Sequence, residues 1–254
     1  MSTRSPSPSI AELRAATQPP SIFARNSGEH WAGRLYIRRA SPYLTRQLIR
    51  TRLTPNMVTW LMILVGVLAA VLLAIPGVWT ALGAVVLIQL QILLDCSDGE
   101  LARWRSQFSP VGIYLDRLGH YLTETLFPIA LGIRCGEVTL GLIAALLALA
   151  VRTESALVAV ARLESGRGKA EDTAAVAAPG ASGLARLRRW VGYFPFFRAF
   201  VAMEATLLAL IAAIVDTQVH DHDATRALVI ALVPIAAITA AGHLLAIVTS
   251  ARLR

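Results

Sequence analysis

Residues 95–120 read DCSDGELARWRSQFSPVGIYLDRLGH, and this stretch decides the fold. It opens with two carboxylates three residues apart, Asp95 and Asp98, which lie on one face if the stretch is helical. Ser109 and Pro110 predict the start of a second helix, because serine favours the N-cap and proline the first helical position. The stretch therefore predicts a hairpin of two helices that carry acidic side chains.

Small residues accompany the acidic ones in both predicted helices. Gly112, Asp116 and His120 recur at steps of four and line one stripe of the second helix. Gly99 and Ala102 remove bulk beside the carboxylates of the first helix. Hard divalent cations take oxygen ligands, and small residues let a phosphate-bearing ligand approach the backbone. The pattern therefore indicates a divalent metal site beside a phosphate ligand.

The same residues carry a resemblance to a known family. The pattern D-x2-D-G-x2-A-R-x8-G-x3-D-x3-D is the signature of the CDP-alcohol phosphotransferases, integral-membrane enzymes of phospholipid synthesis. The chain matches it, with the x8 spacing intact, at Asp95, Asp98, Gly99, Ala102, Arg103, Gly112 and Asp116. At the last position His120 stands where the family has aspartate. On these residues the chain resembles that family.

The resemblance implies an enzyme, a CDP-alcohol phosphotransferase. It would transfer a substituted phosphate group from a CDP-alcohol donor to an alcohol or alcohol-phosphate acceptor in the membrane and release CMP. It implies Mg²⁺ or Mn²⁺, as two ions, and a homodimer. The implied metal ligands are Asp95, Asp98, Asp116 and His120. The implied CDP-binding residues are Asp98, Gly99, Ala102, Arg103, Gly112 and Asn56, where Arg103 pairs with a phosphate and Asn56 belongs to the Pro-Asn pair before the family's first transmembrane helix.

His120 has three possible roles. The family's last aspartate is the candidate general base, and His120 stands at its position. The resemblance therefore implies His120 and Asp116 as the catalytic residues. Imidazole takes up a proton near neutral pH, so the favoured hypothesis is that His120 activates the acceptor hydroxyl. It could instead replace a metal ligand and shift the preference from Mg²⁺ toward Mn²⁺ or Zn²⁺, because imidazole is softer than carboxylate. In the third case the base is lost and the protein is a catalytically impaired relative that binds CDP-ligands.

The composition is that of a membrane protein. Of the 254 residues, 56% are hydrophobic and only 16% charged, which is too apolar for a soluble domain of this length. The net charge of +8 accordingly favours a cytoplasmic membrane face over nucleic acid, for which no zinc spacing or aromatic-interleaved basic patch is present.

The predicted fold is all-α and polytopic. Residues 1–29 predict a disordered cytoplasmic tail, and 30–254 the CDP-alcohol phosphotransferase membrane domain. Arginines mixed with aromatic and aliphatic residues over 30–52 predict an N-terminal amphipathic helix that lies in the membrane interface. Six apolar segments between 57 and 250 predict six transmembrane helices: 57–75, 78–104, 110–133, 138–163, 194–215 and 225–250.

The distribution of cations predicts the orientation. If six spans alternate, 19 of the 24 lysines and arginines fall on one side and only Arg134 and Arg226 on the other. The positive-inside rule then places both termini in the cytoplasm. Asp95 and Asp116 come out near that surface, which predicts a cytoplasmic active site in the cell membrane.

Two further arginines are candidates for holding the acceptor. Arg198 begins the fifth predicted span, and Arg152 lies deeper, where an ion pair between helices is an equal alternative. The donor alcohol is either diacylglycerol or a soluble polyol. Two alternatives compete with the metal site: the acidic residues could form buried ion pairs with Arg103, Arg105 and Arg117, or the chain could be a transporter.

Overall fold

The computed structural model describes residues 7–19, 32–166, 199–219 and 222–249. These residues form helices and no strands, so the predicted all-α class is confirmed for the described part of the chain. In chain order the helices are α1 (Ile10–Thr17), α2 (Arg38–Ile49), α3 (Pro55–Ala74), α4 (Val78–Arg105), α5 (Pro110–Cys135), α6 (Val138–Glu164), α7 (Ala202–Val215) and α8 (Asp223–Val248). A π-helical turn, Gly33–Ile37, leads directly into α2.

Four of these helices are long and apolar enough to cross a membrane: α3, α4, α6 and α8. The charged residues of the motif hairpin keep α5 out of this group, and α7 is a shorter apolar helix of 14 residues. Each predicted span contains a described helix, although the residues before 199 in the fifth span lie outside the described part. The count of six spans therefore remains a prediction.

One face of α3 shows the surface of a membrane protein. Large apolar side chains are exposed along its whole length: Met57, Trp60, Leu61, Leu64, Leu68 and Val71. Exposed apolar area of this extent would aggregate in water and is stable against lipid.

A glycine with a positive φ lies in each of two short connections between helices. Gly77 separates α3 from α4 with a φ of +132°, and Gly136 separates α5 from α6 with a φ of +78°. Both values lie in the region that side chains with a Cβ rarely adopt. These two connections therefore allow consecutive helices to reverse direction within three residues.

The chain divides into two compact units. The first comprises Met1–Ala69 and Val86–Thr123, and the second Ala70–Val85 and Glu124–Arg254. The first has an apolar core from α2, α3, α4 and α5, made of Leu48, Val58, Met62, Ile63, Val65, Leu94, Leu101 and Leu115. It also contains every motif residue.

In the second unit α8 packs on α6 and α7 packs on α8. The α5–α6 hairpin is close there, since a Cβ on Gly132 would lie 3.0 Å from the Gly141 Cα. Buried Arg134 donates to the carbonyl oxygens of Ile75 and Gly77, each at 2.7 Å, and so caps the end of α3. This arginine is thus a structural cap.

The first helix corrects one expectation. The disordered tail predicted for 1–29 contains α1, so the prediction is wrong for residues 7–19; residues 1–6 and 20–31 lie outside the described part. Ser9 and Glu12 form a capping box, in which the Ser9 backbone N–H donates to Glu12 Oε2 at 2.7 Å. These bonds lower the pKa of the exposed Glu12 carboxyl, because they favour its charged form.

The second helix lies within the predicted interfacial segment 30–52. Residues 32–49 are helical, and large exposed side chains occur both on the π-helical turn, at Leu35 and Tyr36, and on α2, at Tyr43. The position of α2 in the membrane interface stays a prediction.

Candidate active site

The motif hairpin brings three ligand-type side chains together. Asp95 lies on α4, and Asp116 and His120 lie one turn apart on α5. His120 Nε2 is 3.3 Å from Asp95 Oδ1 and 3.6 Å from Asp116 Oδ1. One ligand atom from each residue falls within 4.8 Å of the others, and all three side chains are partly or fully exposed. Such a group can hold a divalent cation while it remains open to a ligand.

Asp98 has a different environment from this trio. Its side chain is buried, and Asp98 Oδ2 accepts a hydrogen bond of 2.6 Å from Thr59 Oγ1 on α3. Thr59 is also buried and is not part of the sequence motif. The structure therefore places Asp98 one turn from Asp95, with one of its oxygens already bonded to protein.

Asn56 and Gly112 meet at the start of the hairpin. Asn56 Nδ2 donates to Ser109 Oγ at 3.2 Å, and Ser109 Oγ accepts from the Gly112 backbone N–H at 3.0 Å. A Cβ on Gly112 would come within 2.9 Å of Asn56 Oδ1. Ser109 is thus the N-cap of α5, as predicted from the Ser-Pro pair, and Gly112 permits the approach of α3. The sequence predicts a CDP-binding role for Asn56 and Gly112, and they contact each other.

Arg103 folds back along α4 over Gly99. A Cβ on Gly99 would lie 3.3 Å from both terminal nitrogens of the Arg103 guanidinium. Arg103 Nε donates to the Thr17 carbonyl oxygen on α1 at 2.6 Å. Ala102, the remaining small residue of the motif, is partly buried beside it. The predicted phosphate-binding arginine is therefore held by the N-terminal helix.

Glu100 is a site residue that the sequence reasoning missed. It lies between motif positions and is fully buried, and its carboxylate accepts hydrogen bonds from Gln18, Ser41 and Thr45. Its position between two motif residues does not distinguish it from an ordinary variable residue in the sequence. The sequence does contain a signal for α1, the helix that brings Gln18 to Glu100, because Ser9-x-x-Glu12 before Leu13 has the form of a capping box.

Arg105 serves the backbone. Its guanidinium donates to carbonyl oxygens in the last turn of α2 and just after it, those of Leu48, Ile49, Thr51 and Leu53. It thereby caps α2. This role explains why Arg105 lies near the acidic residues and offers a different account of it from the buried ion pair considered in the sequence analysis.

Arg152, proposed for the acceptor, forms a two-point ion pair with Glu124 between α5 and α6. The Glu124 side chain is 8% exposed and that of Arg152 40%. Arg198, the other acceptor candidate, lies outside the described residues.

A sequence model described as CDP-alcohol phosphatidyltransferase matches residues 52–251, well over half of the chain. The chain belongs to this family. Membership confirms the resemblance seen in the motif, and with the apolar helices it makes this an integral membrane protein. The family activity is phosphotransfer from CDP-alcohols in phospholipid synthesis. No curated protein matches the chain significantly.

Proposed function

We propose that the protein transfers a substituted phosphate group from a CDP-alcohol to an alcohol acceptor, releases CMP and depends on a divalent metal. The observation that carries the proposal is the meeting of Asp95, Asp116 and His120 across the motif hairpin, with their ligand atoms within 4.8 Å. Three side chains that the family pattern sets 21 and 4 residues apart in sequence converge on one point. An ion-binding role explains that convergence.

The side chains present fit Mg²⁺ or Mn²⁺. Asp95, Asp98 and Asp116 supply hard oxygen ligands, and in its alternative role His120 would add a nitrogen that Mn²⁺ accepts readily. When bound, the two ions would neutralise the charge of the donor pyrophosphate and of the departing CMP. Thr59 orients Asp98 by donating to one of its oxygens, so that the other oxygen keeps a fixed direction.

The transfer needs one proton removed and one bond exchanged. The acceptor hydroxyl oxygen forms a bond to the phosphorus that carries the donor alcohol, and the bond from that phosphorus to the oxygen of CMP breaks. His120 takes the hydroxyl proton in this proposal, as the imidazole that replaces the family's last aspartate. Asp116 lies one turn before it, with its Oδ1 at 3.6 Å from the His120 Nε2. Arg103 binds a phosphate of the donor, and Gly99 and Ala102 leave room for the cytidine.

The acceptor is assigned to Arg198 and Arg152. Arg152 pairs with Glu124, so a phosphate on the acceptor would have to compete with that carboxylate for the guanidinium. We further propose that the protein is a homodimer with six spans, an N-terminal interfacial helix and a cytoplasmic active site.

CMP release from a panel of CDP-donors tests the function. Purified protein is mixed with CDP-diacylglycerol or a CDP-linked soluble polyol, a set of alcohol acceptors, and Mg²⁺ or Mn²⁺. The expected result is CMP together with a phosphodiester product seen by mass spectrometry, abolished by chelator and restored by metal. Turnover in metal-free protein would contradict the metal mechanism. Donor binding without CMP release would support the impaired relative instead.

Cysteine labelling tests the orientation. Single cysteines introduced at Ser182 and Thr217 of a cysteine-free variant are expected to react from opposite faces of sealed vesicles, Ser182 from the cytoplasmic one. Labelling of both positions from one face would show that the number of spans between them is even.

A further inference from the structure

The last turn of the motif on α4 is held by residues that precede the family domain. The family match begins at residue 52. Thr17 and Gln18, at the end of α1, and Ser41 and Thr45, on α2, all precede it and bond to Arg103 or Glu100. The N-terminal segment is therefore built into the site, although the family pattern does not include it.

The contact to Arg103 uses the negative end of a short helix. The carbonyl oxygens in the last turn of a helix lack intrahelical partners and favour a cation. Thr17 is the last residue of α1, and its carbonyl oxygen accepts from Arg103 Nε at 2.6 Å. Because the guanidinium is planar, a bond at Nε fixes the plane in which both terminal nitrogens point. Those nitrogens lie over Gly99, beside the acidic turn.

Gln18 provides the second connection. Its Nε2 donates to Glu100 Oε1 at 2.8 Å and to the Arg38 carbonyl oxygen at 2.9 Å, which uses both hydrogens of the amide. Glu100 has no exposed surface and also accepts from Ser41 Oγ at 2.5 Å and Thr45 Oγ1 at 2.7 Å. This network joins α1, α2 and α4 at the residue next to Gly99.

The position of α1 is defined along its length as well. Leu13 and Thr17, one turn apart, have no exposed surface, and Arg14 donates to the Arg39 carbonyl oxygen at 3.0 Å. Ala15, between them in sequence, is exposed. A substitution on the buried face of α1 can therefore be compared with a matched substitution on its exposed face.

We propose that α1 is a positioning element for the donor phosphate: the Thr17 carbonyl sets the direction of the Arg103 guanidinium over Gly99, and Gln18 anchors the end of α1 on Glu100. The inference rests on the proposed function, in which Arg103 binds a phosphate of the CDP-donor. Undocking α1 would leave the acidic residues and His120 in place and weaken only the binding of the diphosphate. The N-terminal segment thereby becomes part of donor recognition in this chain.

Leu13→Asp in the full chain undocks α1, because a carboxylate does not remain in an apolar buried position without a partner. Ala15→Asp adds the same charge to the exposed face and is the matched control. The probe is CDP with Mg²⁺, and its Kd is measured by calorimetry. We expect binding roughly tenfold weaker in Leu13→Asp than in Ala15→Asp, as for loss of one charge-assisted hydrogen bond. Hydrogen exchange of the 10–18 amides should accelerate in Leu13→Asp alone.

An Arg103→Lys background separates positioning from general support of the fold. Lysine has no guanidinium plane for the Thr17 carbonyl to orient, so in that background Leu13→Asp should weaken CDP binding almost no further. An equal loss in both backgrounds would show that α1 acts on the fold alone, which overturns the proposal.

Gln18→Ala is the second variant, for the case in which Leu13→Asp does not fold. It should weaken CDP binding in the same direction by a smaller factor, again only with Arg103 present. Wild-type protein that binds no CDP would overturn the proposed function and this inference with it. If wild-type protein binds CDP, and Leu13→Asp and Gln18→Ala fold and bind it equally tightly, this inference alone is overturned.

Discussion

Charged side chains occur in two regions of this membrane protein, and the two treat charge in opposite ways. In the motif region Asp95 and Asp116 converge on His120, with side chains 28%, 47% and 48% exposed. In the second unit Glu124 pairs with Arg152, and Glu154 Oε2 is 2.8 Å from His243 Nδ1. In the motif region two carboxylates share one imidazole, whereas in the second unit each of these carboxylates has a basic partner of its own. An excess of carboxylates is typical of a cation-binding site, whereas one-to-one pairs connect helices and stabilise the fold.

The largest expected effect is on turnover. Asp95→Asn, Asp98→Asn and Asp116→Asn should each lower CMP release roughly a thousandfold, because each removes a ligand of the proposed metal and with it several kcal/mol of transition-state stabilisation. For Asp116 the thermal midpoint in metal-free detergent should stay level or rise, since like-charge repulsion with Asp95 is relieved.

CMP release and thermal unfolding of the same preparations check this pair of outcomes. Near-normal release by any of the three variants would remove that residue from the site. A lowered midpoint for Asp116→Asn would place it among the supporting pairs.

His120→Ala should reduce turnover roughly a hundredfold, as for loss of a general base. The affinity for CDP with Mg²⁺ should change little, because Arg103 and the acidic residues remain. His120→Asp restores the family pattern and should retain activity. Single-turnover rates and CDP binding measured side by side check the split. A wild-type rate in His120→Ala would make His120 a bystander, and an equal loss of metal affinity and rate would make it a ligand.

Arg152→Met should cost about 3 kcal/mol of stability, since it leaves Glu124 as an uncompensated charge between α5 and α6. The double variant Glu124→Leu with Arg152→Leu should recover most of that loss. Thermal unfolding in one detergent compares the three proteins.

Enzyme assays on the double variant sharpen the comparison. Unchanged KM for the acceptor would assign Arg152 to support alone, and a raised KM with restored stability would return it to the acceptor site.

The smallest expected effect concerns His243 and Glu154. Hydrogen bonds between membrane helices contribute only about 1 kcal/mol, because alternative partners exist in the unfolded membrane state. A double-mutant cycle with His243→Leu and Glu154→Leu should give a coupling energy of that size and leave turnover unchanged. Coupling near zero would mean that the pair forms no net stabilising contact, and lost turnover would move it to the site.

Local rules account for what the sequence predicted well. The breaks between helices at Gly77 and Gly136 follow from the φ values that glycine permits, and the start of α5 follows from the Ser109–Pro110 pair. Steps of three and four place motif residues on one face wherever the chain is helical. Such features depend on residues within one or two turns, so they could be predicted without a partner.

Long-range contacts account for what the sequence could not show. Thr59 reaches Asp98 across 39 residues, Gln18 reaches Glu100 across 82, and Thr17 reaches Arg103 across 86. A tail rich in serine and proline has the composition of a disordered segment, yet Leu13 and Thr17 are fully buried. The capping box at Ser9 and Glu12 predicts a helix, but its docking depends on a surface elsewhere in the chain.

By itself, therefore, the sequence determined the helical class, the helix ends, the membrane character and the family motif, because periodicity, hydropathy and fixed spacing are local properties. Only the tertiary structure decided which carboxylates share one imidazole and which have a basic partner of their own. It also decided that Arg105 and Arg134 cap helices, that Arg152 pairs with Glu124, and that Arg103 donates to the last carbonyl oxygen of α1. Arginine at a membrane boundary has many possible acceptors, and packing selects among them.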